Sequence, residues 1–566
     1  MHTSRSRTTV SLRQPFLAVV VSLIVSHLAF ADQDVPVTTI SGTDGDDVLD
    51  VNAAANAATG EVLSAISETT TATGTVVDSE DGDDTVTVDA DIDASASILA
   101  GIINSPARSE NTASSIGINT GDGADIVNSS GLNTTTATSN VAYQAVVAVD
   151  ITSAEIGSDE VDVSINSEAN STSIDTGDGN DVVVSSSTIT STSTSRTGGV
   201  AAPVNADFSE SVTTNAESNA SSNATGINSG AGDDQVTSNE AITTNSTATS
   251  GVVAVNVTAS GDTDPDEEIQ NNLEASASSE ATSTGIDTDG DGTSSDSDIT
   301  TRLVDGALEI TRDKTETATS GNDTVTNTSS ITSTSQALSD ATSVSASVTA
   351  SGSVKATLNA ETTASSRGIS TGGGNDVVDN SGNITADSLA TALAVGSTIA
   401  AGQGGDDDAT SKQKTETSTN VTSTATSTGI DAEGPAQSTQ FTGVTSMGAT
   451  GISNTRTTSS TASTGADDVL NTGAINATST ARVGTVVRNI QIEAEGAAAS
   501  DANSTATSQS VGINTGGGND IVDNDGAITA DATSSGGAIG IAFSQGGTDA
   551  ESKVDAKVTS DSTAVG

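Results

Sequence analysis

The nine residues TGGGNDVVD at positions 371–379 decide the fold, because close copies of them recur along the whole chain. Each copy has a small residue, usually Gly, two positions before an Asp, and Val or Leu two positions after it. Nine copies are present, and they centre on Asp47, Asp84, Asp125, Asp181, Asp234, Asp323, Asp376, Asp468 and Asp520. The copy at Asp468 departs from the pattern, because Ala466 stands in place of the Gly. A motif that recurs in register indicates a repeat architecture.

The spacing of the motif aspartates gives the length of one repeat. Asp181 and Asp234 are 53 residues apart, whereas the first copies follow each other after 37 and 41 residues. Gaps of 89 and 92 residues separate Asp234 from Asp323 and Asp376 from Asp468. Insertions become loops in a repeat protein, so the long gaps predict insertions near 287–322 and 431–466. The spacing divides the chain into short repeats over 32–124 and a long-repeat region over 125–566. Residues 1–31 precede the repeats and form a separate segment.

Between the motifs, apolar and polar residues alternate. From Val344 to Ala364 the even positions are Val, Ala, Gly, Leu or Thr, and the odd positions are Ser, Thr, Lys, Asn or Glu. The stretch 490–506 repeats the alternation, as do Leu273, Ala275, Ala277 and Ala281. Strict alternation is typical of a half-buried β-strand. Because the apolar face is mostly Ala, a thin core with closely approaching partners is expected.

The residues around the motif also recur, and they suit corners of a coil. A Gly-Ile-Asn lead such as Gly117-Ile118-Asn119 precedes the motif, and an Ile such as Ile189 follows the Val after six residues. Turns such as Asn380-Ser381-Gly382 lie between them; Gly and Asn tolerate positive φ, and buried Asn can form ladders between stacked turns. The pattern predicts an all-β fold: a repetitive parallel β-solenoid that is similar to a β-helix or a β-roll. One large coil per repeat is favoured over several small coils carrying protruding hairpins.

Composition excludes most enzyme chemistry. The 566 residues include 17 Lys and Arg against 75 Asp and Glu, a net charge of −58, with no Cys and 1% aromatic residues. The only histidines, His2 and His27, fall in a predicted export segment, so a mature chain would lack Ser-His-Asp, Cys-His and His or Cys zinc sites. The acid excess argues against nucleic-acid binding. We therefore expect a protein that is not an enzyme.

Residues 1–31 have the pattern of a secretory signal peptide. A basic region with Arg5, Arg7 and Arg13 precedes an apolar run, and Ala29-Phe30-Ala31 is a small-x-small cleavage signature. An uncleaved signal anchor is the alternative. The expected location is the medium or the cell surface of a bacterium. Because the sequence stops at Gly566, where the Ile of a further lead is due, we expect the reading frame or its neighbour to continue with repeats or an outer-membrane translocator.

The runs GTDGDDVLD at 42–50 and TGGGNDVVD at 371–379 resemble the calcium-binding nonapeptides of hemolysin-type (RTX) repeats. The Asn-Ser-Gly corners and the Ser-, Thr- and Ala-rich strands resemble repeat passengers of autotransporter-like bacterial surface adhesins. The resemblance implies calcium as cofactor, with the nine motif aspartates as metal ligands. Copies that stand singly, and a first motif position that is usually Thr or Ser, depart from the RTX pattern.

Physical arguments from the sequence allow both a corner that binds a metal and a corner without one. Stacked, unneutralised aspartates would repel one another, which favours a bound cation. The alternative is a metal-free corner in which each Asp caps backbone N–H groups. A second candidate, with EF-hand loop spacing, comprises Asp287, Asp289, Asp291, Gly292 and Asp298, for which an acidic surface turn is the alternative.

The expected function is that of an exported, non-enzymatic repeat protein of the surface-adhesin or extracellular-matrix type, stabilised by calcium. Its expected partners are calcium ions and either a host-cell or matrix surface or further copies bound through solenoid edges. The alternatives are a disordered acidic polymer that folds on calcium, a polysaccharide-active β-helix enzyme, and an ice-binding protein. The last would use rows such as Thr190-Ser191-Thr192-Ser193-Thr194 and requires regular ranks of Thr on one exposed face.

Overall fold

The computed structural model describes most of the chain after residue 39. The described residues are 40–41, 48–51, 55–64, 69–101, 107–146, 149–150, 159–202, 204–205, 212–259, 269–288, 294–304, 307–317, 321–349, 352–402, 412–432, 438–448, 451–461, 465–492, 495–545 and 551–566. The predicted signal peptide and Asp47 lie outside them.

The described residues form strands joined by tight corners. In the first half of the chain the strands are β1 (Ile40–Ser41), β2 (Val48–Val51), β3 (Ala55–Ser64), β4 (Thr69–Asp78), β5 (Thr85–Val88), β6 (Ile92–Gly101), β7 (Ala107–Asn119), β8 (Ile126–Val146), β9 (Val149–Asp150), β10 (Asp159–Asp175), β11 (Val182–Ala201), β12 (Val204–Asn205), β13 (Val212–Asn228), β14 (Gln235–Ser238), β15 (Ile242–Ala259) and β16 (Ile269–Asp287). In the second half they are β17 (Ser294–Val304), β18 (Ala307–Thr317), β19 (Thr324–Asn327), β20 (Ile331–Thr349), β21 (Gly352–Ser370), β22 (Val377–Asn380), β23 (Ile384–Gly402), β24 (Lys412–Asp431), β25 (Ser438–Gly448), β26 (Gly451–Thr461), β27 (Asp468–Asn471), β28 (Ile475–Ile492), β29 (Glu495–Asn514), β30 (Ile521–Asn524), β31 (Ile528–Gln545) and β32 (Glu551–Val565).

The strands build two parallel sheets that face each other. Sheet A contains ten strands in the order β1-β4-β7-β10-β13-β16-β21-β24-β29-β32, and sheet B holds the short and long strands that follow each motif Asp. Each repeat is one coil, which runs along a strand of sheet A, turns at the Asp corner and returns along sheet B. Val163 of β10 pairs with Ala216 of β13, 53 positions later. The fold class and the single large coil per repeat are therefore confirmed.

Hairpins fill the two long gaps between motifs. Strands β17 and β18 pair in antiparallel fashion, with Val304 opposite Ala307. Strands β25 and β26 form the second hairpin, and β18 pairs with β25 to give a four-stranded sheet. Hairpins inserted two coils apart thus join beside the solenoid.

The prediction that 344–364 forms one alternating strand with a buried apolar face is wrong. Strand β20 ends at Thr349 and β21 begins at Gly352, so the chain passes from sheet B to sheet A inside this stretch. The inward positions differ between the two strands: Val344 on β20 points outward and is 38% exposed, whereas Leu358 on β21 is fully buried. The stretch 490–506 also divides, with Ile492 38% exposed on β28 and Ala498 buried on β29. Alternation by itself does not say which face is inside.

Hydroxyl groups fill much of the space between the sheets. The Ser191 hydroxyl on sheet B donates to the Ser171 carbonyl oxygen on sheet A at 2.7 Å, and Ser193 donates to the Ala169 carbonyl oxygen at 2.6 Å. Such bonds require the sheets to approach closely, which the buried Ala residues permit. The predicted thin core is confirmed. The inward position of Ser was not anticipated, and each satisfied bond contributes about 0.5–1.5 kcal/mol.

A second core lies directly behind the Asp corners and is made of large aliphatic side chains. Three columns of stacked residues contribute to it: the Ile of the Gly-Ile lead, the Val after the motif Asp, and the Ile six residues later. These are Ile118, Ile174, Ile227, Ile286, Ile369 and Ile430; Val127, Val183, Val236, Val325, Val378 and Val469; and Ile189, Ile242, Ile331, Ile384 and Ile475. This core fixes the position of the corner at which the predicted site residues lie.

Candidate functional site: the aspartate corner

Glycines shape the turn that carries each motif Asp. Gly177 opens the turn after Thr176 with φ of 71°, a left-handed conformation that glycine adopts without strain. Gly179, two residues before Asp181, is required for a different reason. A Cβ atom on it would lie 1.4 Å from the carbonyl oxygen of Gly123 in the neighbouring coil. The recurring Gly of the motif therefore allows successive corners to stack in contact.

The motif aspartates form a buried column with one hydrogen bond between each pair of neighbours. The Oδ1 atom of each Asp accepts the backbone N–H of the Asp in the preceding coil. The donor–acceptor distances are 2.8 Å for Asp84 to Asp125, 2.8 Å for Asp125 to Asp181, 2.9 Å for Asp181 to Asp234, 2.9 Å for Asp234 to Asp323, 2.9 Å for Asp323 to Asp376, 3.1 Å for Asp376 to Asp467 and 3.2 Å for Asp467 to Asp520. We call these residues the aspartate column.

The assignment of Asp468 to the motif is wrong by one residue. Asp467 makes the column bonds and is 3% exposed, whereas Asp468 begins β27 opposite Val377 with its side chain exposed. With Asp467 at the centre, Gly465 takes the place of the motif Gly, and its Cβ would lie 1.2 Å from the Gly374 carbonyl oxygen. The apparent departure at Ala466 came from this misalignment.

A hydroxyl of the same corner donates a hydrogen bond to the second carboxylate oxygen. It stands five residues before the Asp, except that Thr288 stands 35 residues before Asp323 because a hairpin is inserted between them. Thr176 donates to Oδ2 of Asp181 at 2.5 Å, and Ser229, Thr288 and Thr371 donate to Asp234, Asp323 and Asp376 at 2.8 Å. The sequence carried a signal for this contact, because Thr or Ser stands five residues before Asp181, Asp234 and Asp376. The donors of these corners satisfy both oxygens of a buried carboxylate.

Burial changes the acid–base behaviour of the column. Desolvation raises the pKa of Asp125 to about 6 and the pKa values of Asp181, Asp234 and Asp376 to about 7. Neighbouring carboxylates add to the increase in pKa, while the hydroxyl and backbone N–H bonds partly oppose it. Several column members therefore titrate near neutral pH.

Two exposed rows flank the column and bond in the opposite direction. The N–H of Asp178 donates to Oδ1 of Asp122 in the preceding coil at 3.3 Å, and the N–H of Asp233 donates to Oδ1 of Asn180 at 2.9 Å. The second row continues with the N–H of Asn375, which donates to Oδ1 of Asn322 at 2.9 Å. Each corner is therefore connected to its neighbours through side chains in both directions.

Calcium was predicted at the nine motif positions, and the geometry of the column does not favour it. Both carboxylate oxygens of Asp181 already accept hydrogen bonds, Oδ1 from the Asp125 N–H and Oδ2 from the Thr176 hydroxyl, and the positive ends of these donors would face a cation. In the part of the chain that the structure describes, no three acidic, His or Cys side chains are grouped to hold an ion. The bonds support the metal-free interpretation of the corner, and calcium binding stays a prediction.

The predicted EF-hand-like loop is only partly described. Asp287 ends β16, and Asp298 lies within β17 opposite Asp313. Asp289, Asp291 and Gly292 lie outside the described residues. A ligating loop at this place therefore also stays a prediction.

A column of asparagines supports the opposite side of the same turn. The Nδ2 of Asn327 donates to Oδ1 of Asn380 at 2.7 Å, and the same bond joins Asn380 to Asn471 and Asn471 to Asn524 at 2.6 Å. Each of these amides also donates to the carbonyl oxygen two residues ahead, as from Asn380 to Gly382 at 2.9 Å. The predicted ladder of Asn between stacked turns is confirmed.

A shallow groove of about 340 Å³ lies on the outer face of sheet A. Glu110, Glu168 and Glu280 line it together with Asn166 and Asn219. Thr112 and Asn170 donate hydrogen bonds to the Glu168 carboxylate at 3.4 and 2.8 Å. Among the described residues, the acids of this groove do not form a group that could hold a metal ion.

Comparison with known proteins leaves the family open. No protein-family model matches the chain, and searches of curated proteins and of solved structures find no match. Within the described residues, no helix has the length and apolar character needed to cross a membrane. The functional argument therefore rests on the solenoid and its surfaces.

Removing a corner hydroxyl should weaken the column. For Thr176→Val we expect a loss of about 1–3 kcal/mol in the free energy of unfolding, because the buried Oδ2 of Asp181 loses its donor. We also expect the pKa of Asp181 to rise further, since the Thr176 bond lowers it. Urea unfolding at pH 8 measures the loss. The outward-facing Thr190→Val is the control and should change stability by about 0.5 kcal/mol or less; equal effects of the two variants would contradict the assigned contact.

Proposed function

We propose that the chain is an exported, non-enzymatic repeat protein of the surface-adhesin or extracellular-matrix type. The observation that carries this proposal is the parallel register of successive coils, which presents the same row of side chains again in every coil. A repeated row can make many weak contacts with an extended surface at the same time.

The dimensions of the solenoid support contact with a surface. Ten strands of sheet A at about 4.8 Å spacing give a stack roughly 45 Å tall. A strand of 20 residues such as β11 is about 65 Å long. Each of the two sheets therefore offers a broad face. The near absence of aromatic residues argues against a sugar-stacking active site, and the predicted signal peptide supports export.

The test is a comparison of a strain that lacks the chain with the same strain carrying the full-length gene. We expect the protein in the medium or on the cell surface, and lower attachment to host-cell or matrix-coated surfaces when it is missing. Retention of the chain inside the cell, or unchanged attachment together with hydrolysis of a polysaccharide, would overturn the proposal.

Calcium stabilisation is part of this proposal and is supported by the net charge of −58. We expect calcium at about 10⁻⁴–10⁻³ M to raise the unfolding temperature and the β content of EDTA-treated protein, because cations reduce repulsion between stacked acids. Circular dichroism measures both quantities. Sodium chloride of equal ionic strength controls for screening, and Asp181→Asn tests a role of the column. No difference between calcium and sodium would refute a specific site.

A further inference from the structure

The outer face of sheet B carries a regular block of threonines, here called the threonine array. Twelve outward positions on four successive strands, β8, β11, β15 and β20, line up in three columns. Ten of the twelve are Thr. The array consists of Thr134, Thr136, Thr138, Thr190, Thr192, Thr194, Thr243, Asn245, Thr247, Thr332, Thr334 and Gln336.

The register makes the array a two-dimensional lattice. Thr190 pairs with Thr134 on one side and Thr243 on the other, so neighbouring members of a column are about 4.8 Å apart. Alternate residues along one strand, such as Thr190 and Thr192, are about 6.6 Å apart. The side chains between them point inward, where Ser191 and Ser193 are tied to sheet A. The β-branched Thr side chain is itself restricted at χ1, so the lattice is rigid.

Charge is absent from the array although the chain as a whole carries a net charge of −58. The strands of sheet A near the same coils point Glu110, Glu168, Glu217 and Glu280 outward. Composition alone therefore does not produce the array. Around the array the same face of sheet B is mixed: Asp93 and Asp387 flank it, Arg196 follows Thr194, and Val257, Leu338 and Val344 are exposed further along the strands. The twelve positions themselves present methyl groups, hydroxyls and amides without charge, which fits a neutral, ordered ligand.

We propose that the threonine array binds a crystal plane of ice. The spacing of about 4.8 Å between members of a column is close to the shorter repeat distance between water oxygens in the ice lattice, so water bound along a column can occupy positions that continue the crystal. Each Thr supplies a hydroxyl that bonds water and a methyl that limits the water's orientation. Because the lattice is rigid, adding one contact after another costs little conformational entropy. This activity goes beyond the proposed adhesin-type function and does not depend on calcium at the corners.

The experiment uses the full chain with a fluorescent label and measures its incorporation into a growing ice crystal, together with the shape of crystals in its solution. We expect the protein to partition into ice and to shape the crystals. Thr192→Glu, at the centre of the array, should reduce incorporation at least tenfold. Thr424→Glu is the matched control: it lies outward on sheet A between Thr363 and Thr507, and it should leave incorporation unchanged.

The outcomes separate the possibilities. Exclusion of the unaltered protein from ice, or equal losses in both variants with unchanged circular dichroism, overturns the proposal. Binding to crystalline cellulose or chitin in place of ice also overturns it. Should Thr192→Glu fail to fold, Thr136→Lys in the same column tests the same surface, and its full incorporation into ice would contradict the assignment.

Discussion

The variant Gly232→Ala is expected to lose the stacking of its corner, with a local destabilisation above about 4 kcal/mol. A Cβ at this position would lie 1.4 Å from the carbonyl oxygen of Gly179, a rigid backbone atom. The two coils would have to separate, which would break the bond from the Asp181 N–H to Asp234 and its neighbours. Each repeat contacts only its neighbours in a solenoid, so the damage should be greatest in the two adjoining coils.

Hydrogen–deuterium exchange of the corner peptides, together with thermal unfolding, measures this effect. The matched control is Gly251→Ala in strand β15 of the same coil, where an added Cβ meets no atom within 4 Å. This control should change stability by about 0.5 kcal/mol or less. Fast exchange confined to the corners near 177–182 and 230–235 is the expected pattern. Unchanged exchange in Gly232→Ala would show that the corners do not stack as described.

Acidification from pH 8 to pH 5 is expected to raise the unfolding temperature by at least about 5 °C. The folded-state pKa values of Asp181, Asp234 and Asp376 are raised to about 7 by burial, above the value of 3.8 expected in the unfolded chain. A raised pKa means that the folded state binds protons more tightly. The stability that this tighter proton binding contributes is fully present below about pH 3.8 and is lost as the pH rises through about 7. Stability should therefore decrease with pH between these values.

Asn substitutions distinguish the column from the general charge of the protein. In Asp181→Asn combined with Asp234→Asn, the amide oxygens can still accept the backbone N–H bonds, while the charge is removed. We expect higher stability at pH 8 and a smaller dependence on pH. The control Asp178→Asn removes an exposed charge of the neighbouring row and should keep the slope. A double variant that is less stable than the unaltered protein at pH 8, with the same slope, would contradict titration in the column.

Much of the fold follows from the sequence because stacking repeats the same physical requirements in every coil. Gly374, Asp376 and Val378 recur together since a corner needs room, a capped backbone and an aliphatic core at fixed positions. The Asn column was predictable for the same reason. The single large coil followed from the spacing of these motifs.

Other features depend on which face of a strand meets the opposite sheet, and alternation does not specify that. Val344 was taken as inward, and the structure places it on the outer face, because the narrow gap between the sheets favours the small hydroxyls of its neighbours Ser343 and Ser345. The Asp467 register was missed because two aspartates stand side by side at 467–468. The column hydrogen bonds and the pairing of β22 with β27 show which of them joins the column. The threonine array could be recognised only from the registers of four strands, which the sequence alone does not give.

The most direct test of the solenoid is a cross-link between adjacent coils. The chain has no native Cys, so only the introduced thiols can react. Thr192 and Asn245 are 53 residues apart in sequence and pair across neighbouring strands, about 4.8 Å apart. We predict that Thr192→Cys with Asn245→Cys reacts with a short bifunctional thiol reagent to give one intramolecular link, identified by mass spectrometry. Thr192→Cys with Thr334→Cys, which skips one coil, should link poorly. Several small coils per repeat would place 192 and 245 about 14 Å apart, so failure of the first pair to link, in protein that circular dichroism shows to be folded, would contradict the stacked large coil.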